Sequence, residues 1–333
     1  MGYPVRRMRR LRRTSALRRL VAETRLDVAD LVAPLFVREG LAEPRPIATL
    51  PGVVQHSRAS LVAEARRLVS LGIPALVLFG VPEHKDPAGS GASDPDGVVQ
   101  VAVRDLRDAF GDDVVLVPDL CLDEYTDHGH CGLIGRRGEV DNDATLERYA
   151  EVALAQAAAG ADLVAPSGMM DGQVGAIRAA LDSAGHDDVG ILAYGAKYAS
   201  ALYGPFRDAV DVEIAGGGDR RSYQQDPANG RESLAELRLD VEEGADIVMV
   251  KPAVTSLDVI AEARRELDVP VAAYQVSGEY AMICAAAERG MLDRDAVVLE
   301  TLGAIRRAGA DIILTYFARE VAEILGGERA TEA

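Results

Sequence analysis

Lysine is nearly absent from this chain. It holds 36 basic residues, and only three of them, Lys85, Lys197 and Lys251, are lysines. Arginine therefore supplies generic positive charge. A lysine here is kept for what arginine cannot do, which is to lose its proton and act as an amine. Cysteine is scarce as well: three in 333 residues exclude a disulfide framework and fit a reducing compartment, the cytoplasm being the simplest. No apolar run reaches the length of about 18 residues that a membrane-spanning helix needs. The N-terminal arginines are not followed by an apolar stretch and a small-residue cleavage site, so no secretory signal is expected. A net charge of −17 disfavours nucleic acid as the main partner. What remains is a globular chain, 48% apolar and 27% charged, long enough for one large domain or two ordinary ones.

The charge is unevenly spread. Residues 6–19 (RRMRRLRRTSALRR) hold eight arginines and no acid. Residues 1–30 thus form a basic arm, either a solvated tail or an element that docks on the acidic body of a neighbouring copy.

Apolar, β-branched runs recur along the rest: LVAPLFV (31–37), ALVLFGV (75–81), VVLVPDL (114–120), LVAPSG (163–168), ILAYGAK (191–197), DIVMVKP (246–252), VAAYQVS (271–277) and DIILTYF (311–317). Segments of helical periodicity lie between them, among them 61–71, 144–159, 174–184, 234–243, 257–267, 280–289 and 296–308. Gly-Ala-Asp stands at three helix-to-strand joints, 160–162, 244–246 and 309–311, where glycine suits the left-handed residue that ends a helix. Eight apolar strands alternating with helices predict an α/β fold, a (β/α)8 barrel over residues 31–330. A doubly wound open sheet is the alternative, but no GxGxxG follows the first run. Residues 198–233 break the pattern with Gly216-Gly217-Gly218 and DRRSYQQDPANG, and read as an active-site lid or an ordinary surface excursion.

In such a barrel the site lies at the C-terminal ends of the strands. Asp119 closes the third run, Ser167 and Asp171 follow the fourth, Lys197 ends the fifth and Lys251 the sixth. Ser277 ends the seventh, and Tyr316 lies near the end of the eighth. Two of the three lysines thus close consecutive strands. Neighbouring ammonium groups disfavour each other's charge, and burial adds to this, so one becomes the neutral amine that forms a Schiff base with a carbonyl. Arg207 and Arg221, in or beside the lid, offer a fork for a carboxylate, and Ser277 and Tyr316 offer hydroxyls for a second. LCLDEYTDHGHC (120–131) concentrates Cys121, Asp123 and Cys131, with His128 and His130 nearby. Thiolates suit zinc, and three protein ligands with an open position suit a catalytic site. Cys284, within a helical segment, reads as a small core residue.

These residues together resemble the 5-aminolevulinate dehydratase (porphobilinogen synthase) family over nearly the whole chain. The resemblance is carried by RRLRRT, PLFVREG, FGVPEHKD, LCLDEYTDHGHC, APSGMMDGQV, YGAKYAS, YGPFRDA, GDRRSYQQDPAN, EGADIVMVKPA, YQVSGEYAM and ILTYFARE. It implies a barrel whose arm embraces a neighbour in a homo-octamer. The reaction it implies is the asymmetric condensation of two 5-aminolevulinate molecules to porphobilinogen, with loss of two waters. Through VMVKPA, Lys251 would form the first Schiff base, and through YGAKYAS, Lys197 would hold the second substrate. Arg207 and Arg221 would grip one carboxylate, Ser277 and Tyr316 the other, and Asp119 and Asp171 would assist proton transfers. Glu236 matches a position that binds an activating magnesium outside the active site. The sequence departs from the zinc-type pattern at Asp123, where those members have a cysteine. A weakened or exchangeable zinc, supplemented by magnesium, is the expectation. The rival readings are a class I aldolase type of Schiff-base barrel lyase, which needs one lysine only, and a metal-binding scaffold that has lost its chemistry.

Overall fold

The structure, a computed structural model, describes residues 6–215 and 218–331, with side chains through residue 327. Ten strands run in chain order: β1 (Leu31–Arg38), β2 (Arg45–Pro46), β3 (Val54–His56), β4 (Ala75–Val81), β5 (Val115–Leu120), β6 (Leu163–Pro166), β7 (Gly190–Lys197), β8 (Ile247–Lys251), β9 (Val271–Gln275) and β10 (Ile312–Thr315). Strands β1 and β4–β10 pair in parallel with their chain neighbours, and β10 returns to pair with β1. This is the closed eight-stranded (β/α)8 barrel expected from the alternation of apolar runs and helices. Its strands are buried on both faces, β4 along its whole length, because side chains fill the barrel inside and helices cover it outside. The short β2–β3 hairpin lies beside β1 and was not anticipated.

The covering helices are α2 (Arg58–Ser70), α3 (Val98–Phe110), α4 (Asn142–Ala159), α5 (Gln173–Ser183), α7 (Arg231–Glu242), α8 (Leu257–Glu266), α9 (Ser277–Glu288), α10 (Arg294–Ala308) and α11 (Ala318–Thr331), with a short α6 (Gly204–Ala209) after β7. Several start on a polar cap: Asp141 accepts from Ala144 N at 3.2 Å, and Asp293 from Ala296 N at 3.1 Å.

The three Gly-Ala-Asp joints share one construction. Gly160, Gly244 and Gly309 take φ of 102°, 109° and 125°, which a side chain would resist. Each following aspartate then turns back to the preceding barrel strand. Asp162 accepts from Leu116 N at 2.7 Å, Asp246 from Ile191 N at 2.8 Å and Asp311 from Val271 N at 3.1 Å. The same three aspartates donate their own N–H groups to Leu116, Ile191 and Val271 carbonyls. A polar two-way clamp therefore sets the register at the N-terminal end of the barrel.

Ahead of the barrel, the arm carries α1 (Ser15–Leu20), capped by Thr14, and buries none of that helix. Met8, Leu11, Leu20 and Val21 stand exposed on it. Among the described residues no helix is long and apolar enough to cross a membrane.

Candidate active site

The two strand-end lysines are register partners: Lys197 on β7 pairs directly with Lys251 on β8. A bulge at Ala193–Ala196 precedes this pair in β7. Gly195 lies in it because α7 packs so closely that a Cβ there would meet Asp240 Oδ2 at 2.3 Å. Both lysines are 5% exposed. Their Nζ atoms lie 5.6 and 5.0 Å from the centroid of the same Tyr194 ring, which puts them in one cavity. Around Lys251 Nζ stand three more rings, Tyr203 at 5.2 Å, Phe206 at 5.3 Å and Tyr274 at 4.5 Å. Burial, reinforced by the charge of Lys197, pushes Lys251 down to about 7, against the opposing pull of Asp119, Asp123 and Glu124.

Asp119 faces the lysines from the end of β5. Ser167 links the two sides: its carbonyl accepts from Lys197 Nζ, and its hydroxyl donates to Asp119 Oδ2 at 3.0 Å. Burial raises Asp119 to about 6, although Lys197 and Lys251 pull it down. That value suits a group that exchanges a proton near neutral pH.

The segment after β7 roofs this cavity. Tyr203, Phe206 and Arg207 line it from α6 and the turn before it. Gln225 ties the distal part of the segment back to β7, donating from N to Lys197 O at 3.1 Å and from Nε2 to Gly195 O at 3.3 Å. Gly216 and Gly217 lie outside the described residues. With the roof in place the cavity is about 20 Å³, room for one water. A larger cavity of about 520 Å³, with Gly195, Arg221 and Gln225 in its lining, holds no lysine.

Of the other expected residues, Arg207 lines the lysine cavity and Arg221, Asp171 and Glu236 line the larger one. Ser277 begins α9, where its Oγ accepts from Phe206 N at 3.0 Å and donates to Leu202 O at 3.3 Å. Tyr316 accepts from Tyr274 OH at 3.1 Å and so connects to the rings around Lys251. Arg221 is not brought to the lysines. Its side chain is 81% exposed, pairs with Asp219 at 3.6 Å, and lines the outer cavity. Asp171 is exposed there too, its backbone bonded to the Asn142 side chain at 2.8 and 3.0 Å, and shares the cavity with Glu236 and Asp240. Burial and then the charge of Asp171 raise Glu236.

Arg220, which sequence reasoning passed over, is the arginine that turns inward. Its Nη2 donates to Asp123 Oδ2 and to Gly129 O, both at 2.8 Å, while its buried Nε has no partner among the described residues. Two adjacent arginines carry no signal that ranks them. The turn closed by Gln224 N donating to Arg220 O at 2.8 Å does. Glu124, also passed over, is 2% exposed and lines the lysine cavity.

Cys121, Asp123 and Cys131 offer ligand atoms within 4.8 Å of one another. Two sulfurs and an oxygen, all buried, fit a borderline-soft divalent ion with an open fourth position. Burial drives the Cys121 thiol well up. Cys131 is lowered: burial opposes, but its bond with Cys121 and the Arg220 charge prevail. The imidazoles point elsewhere, His130 Nδ1 to Tyr223 OH at 3.1 Å and His128 Nε2 to Pro87 O at 3.3 Å. Cys284 is buried and accepts from Arg294 at 3.2 Å.

The model of one family, delta-aminolevulinic acid dehydratase, matches residues 5–324. The chain belongs to that family. Delta-aminolevulinic acid dehydratases of Streptomyces coelicolor and of Mycobacterium tuberculosis (strain H37Rv) are 61% and 60% identical to it, over 97% and 96% of this chain and 98% of each relative. The solved delta-aminolevulinic acid dehydratase (porphobilinogen synthase) of Toxoplasma gondii ME49, in complex with the reaction product porphobilinogen, superposes with a TM-score of 0.94. It is 44% identical, over 96% of this chain and 91% of that one. As a delta-aminolevulinic acid dehydratase the chain is a lyase of porphyrin biosynthesis.

Proposed function

We propose that Lys251 and Lys197 together carry the condensation of two 5-aminolevulinate molecules to porphobilinogen, each lysine holding one substrate as a Schiff base. The observation that carries this reading is their register pairing at the ends of β7 and β8, with Lys251 pushed down to about 7. At neutral pH a large share of Lys251 is then the free amine that adds to a ketone and expels water. An aldolase-type lyase needs one lysine and leaves the second unexplained.

Asp119, bridged to Lys197 by Ser167, moves protons during imine formation and ring closure. Arg207 and Arg220 grip one substrate carboxylate, Arg220 through the nitrogens that Asp123 leaves free. Ser277 and Tyr316 take the other carboxylate. Tyr203, Phe206 and Tyr274 exclude water from Lys251 and favour its uncharged form. The roof over a cavity of about 20 Å³ opens to admit substrate and closes for the chemistry.

Cys121, Asp123 and Cys131 would hold a zinc ion, weakened by the Arg220–Asp123 pair, that supplies Lewis-acid polarisation of the second substrate when bound. Glu236, with Asp171 and Asp240 beside it, marks the outer cavity for an activating magnesium. The exposed apolar and arginine side chains of the arm suit docking on a second copy, in a homo-octamer of the cytoplasm.

Incubation with 5-aminolevulinate, borohydride reduction and mass-spectrometric mapping tests the central claim. Adducts on Lys251 and Lys197 are expected. Labelling at neither lysine would sink it.

A further inference from the structure

Two possible ligand sets overlap at Cys121. One is Cys121, Asp123 and Cys131; the other is Asp119, Cys121 and Glu124, and in each the donor atoms lie within 4.8 Å of one another. Their states in the structure differ. Asp123 Oδ2 is already held by Arg220 at 2.8 Å. In the second set, Asp119 Oδ1 and Glu124 Oε1 are buried and have no hydrogen-bond partner among the described residues, on residues that are 8% and 2% exposed. A buried carboxyl oxygen without a partner is costly, and a cation taken up by the two carboxyl groups would relieve that cost. Ser167 occupies Asp119 Oδ2, so Oδ1 is the oxygen left for an ion.

We propose that the chain carries a second, overlapping cation position, formed by Asp119, Glu124 and Cys121, for a single divalent ion of oxygen-preferring character such as Mn²⁺. Because Cys121 belongs to both sets, one ion is held at a time, and its softness chooses the position. A thiophilic ion settles between the two cysteines; a harder ion moves toward the two carboxylates, on the lysine side of the site. From the reading above the inference takes only the thiolate-rich site as the competing position. The lysine chemistry stands or falls separately, by borohydride trapping.

The test uses the metal-stripped full chain carrying Glu236→Ala, so that the outer cavity does not contribute. Mn²⁺ binding is followed by loss of the free-ion electron paramagnetic resonance signal, and Cd²⁺ binding by thiolate charge-transfer absorbance. The parent is expected to bind Mn²⁺. Adding Glu124→Gln should weaken Mn²⁺ by at least about tenfold and leave the cadmium band intact, which also shows that the pocket is folded. Adding Cys131→Ser should leave Mn²⁺ affinity unchanged while the cadmium band falls to that of one thiolate. Failure of the parent to bind Mn²⁺, indifference of Mn²⁺ to Glu124→Gln, or loss of Mn²⁺ in Cys131→Ser would each overturn the proposal. Should Glu124→Gln lose the cadmium band as well, the Cys131→Ser comparison decides alone.

Discussion

Arg220 and Arg221 are joined by one peptide bond, yet replacing them should have opposite consequences. The Arg220 side chain is 9% exposed and its partner Asp123 5%, while Arg221 is 81% exposed. Arg220→Met deletes the counter-charge of a buried carboxylate, a change that costs about 3–5 kcal/mol when one member of a buried pair is removed. Arg221→Met should stay within about 0.5 kcal/mol, as surface substitutions do. Urea unfolding of the metal-free protein at several pH values separates charge from lost volume. In the native chain burial pushes Asp123 up, but Arg220, Lys197 and bonds from Cys121 and Glu124 prevail and hold it well below its ordinary value. Its folded pKa thus lies below the unfolded one. That contribution is full above the unfolded pKa and is lost as pH falls through the folded one. In Arg220→Met the main depressing charge is gone, burial dominates, and the folded pKa rises above the unfolded value. Acid then relieves the variant, because a proton neutralises the orphaned carboxylate. The stability gap should be widest near neutral pH, narrow on acidification, and shrink when Asp123→Asn is added. A gap that ignores both pH and Asp123→Asn, or an equal loss in Arg221→Met, would refute the reasoning.

Two further outcomes follow from the same cavity. With Lys251 pushed down to about 7, borohydride trapping at pH 6 should run at roughly one-tenth of its high-pH plateau, since each pH unit below the pKa removes about tenfold of the amine; a flat profile across this range would contradict the assignment. Gln225→Ala removes the side-chain bonds to Gly195 O and Ser233 at 3.3 and 2.7 Å, so hydrogen exchange should quicken across residues 218–230 while β7 stays protected. Unchanged exchange there would show that other contacts hold the roof.

The barrel was legible because strand burial and helix ends leave local marks. Apolar runs such as ALVLFGV become fully buried strands, and Gly160, Gly244 and Gly309 end helices as expected. Helix α3 takes the place expected of a helix after the second apolar run, although its first residues, VVQVAV, are rich in β-branched valine. Tertiary burial of Val99, Ala102, Val103 and Leu106 overrides that propensity. The lysine pair was legible through rarity and strand position. What stayed hidden depends on side-chain direction. Asp171 follows its strand by a few residues and is exposed in the outer cavity; Arg220 and Arg221 exchange inside for outside; and Glu124 is one acid among several in its stretch, marked by burial and by an oxygen without a partner among the described residues.

The Gly-Ala-Asp clamps also bear on how the chain assembles. Each ties a strand to the one before it, β6 to β5, β8 to β7 and β10 to β9, across sequence separations of 46, 55 and 40 residues. These pairs span longer stretches of chain than the unclamped β6–β7 and β8–β9, where Leu163 meets Gly190 and Val248 meets Val271, so each clamp helps to offset a larger loop-closure entropy. Only the final seam, β10 onto β1, has to join the two ends of the barrel. The clamps lie at the starts of the strands, away from Cys121, Asp123 and Cys131 beyond the end of β5, so a change such as Asp123→Cys leaves all three bonds in place.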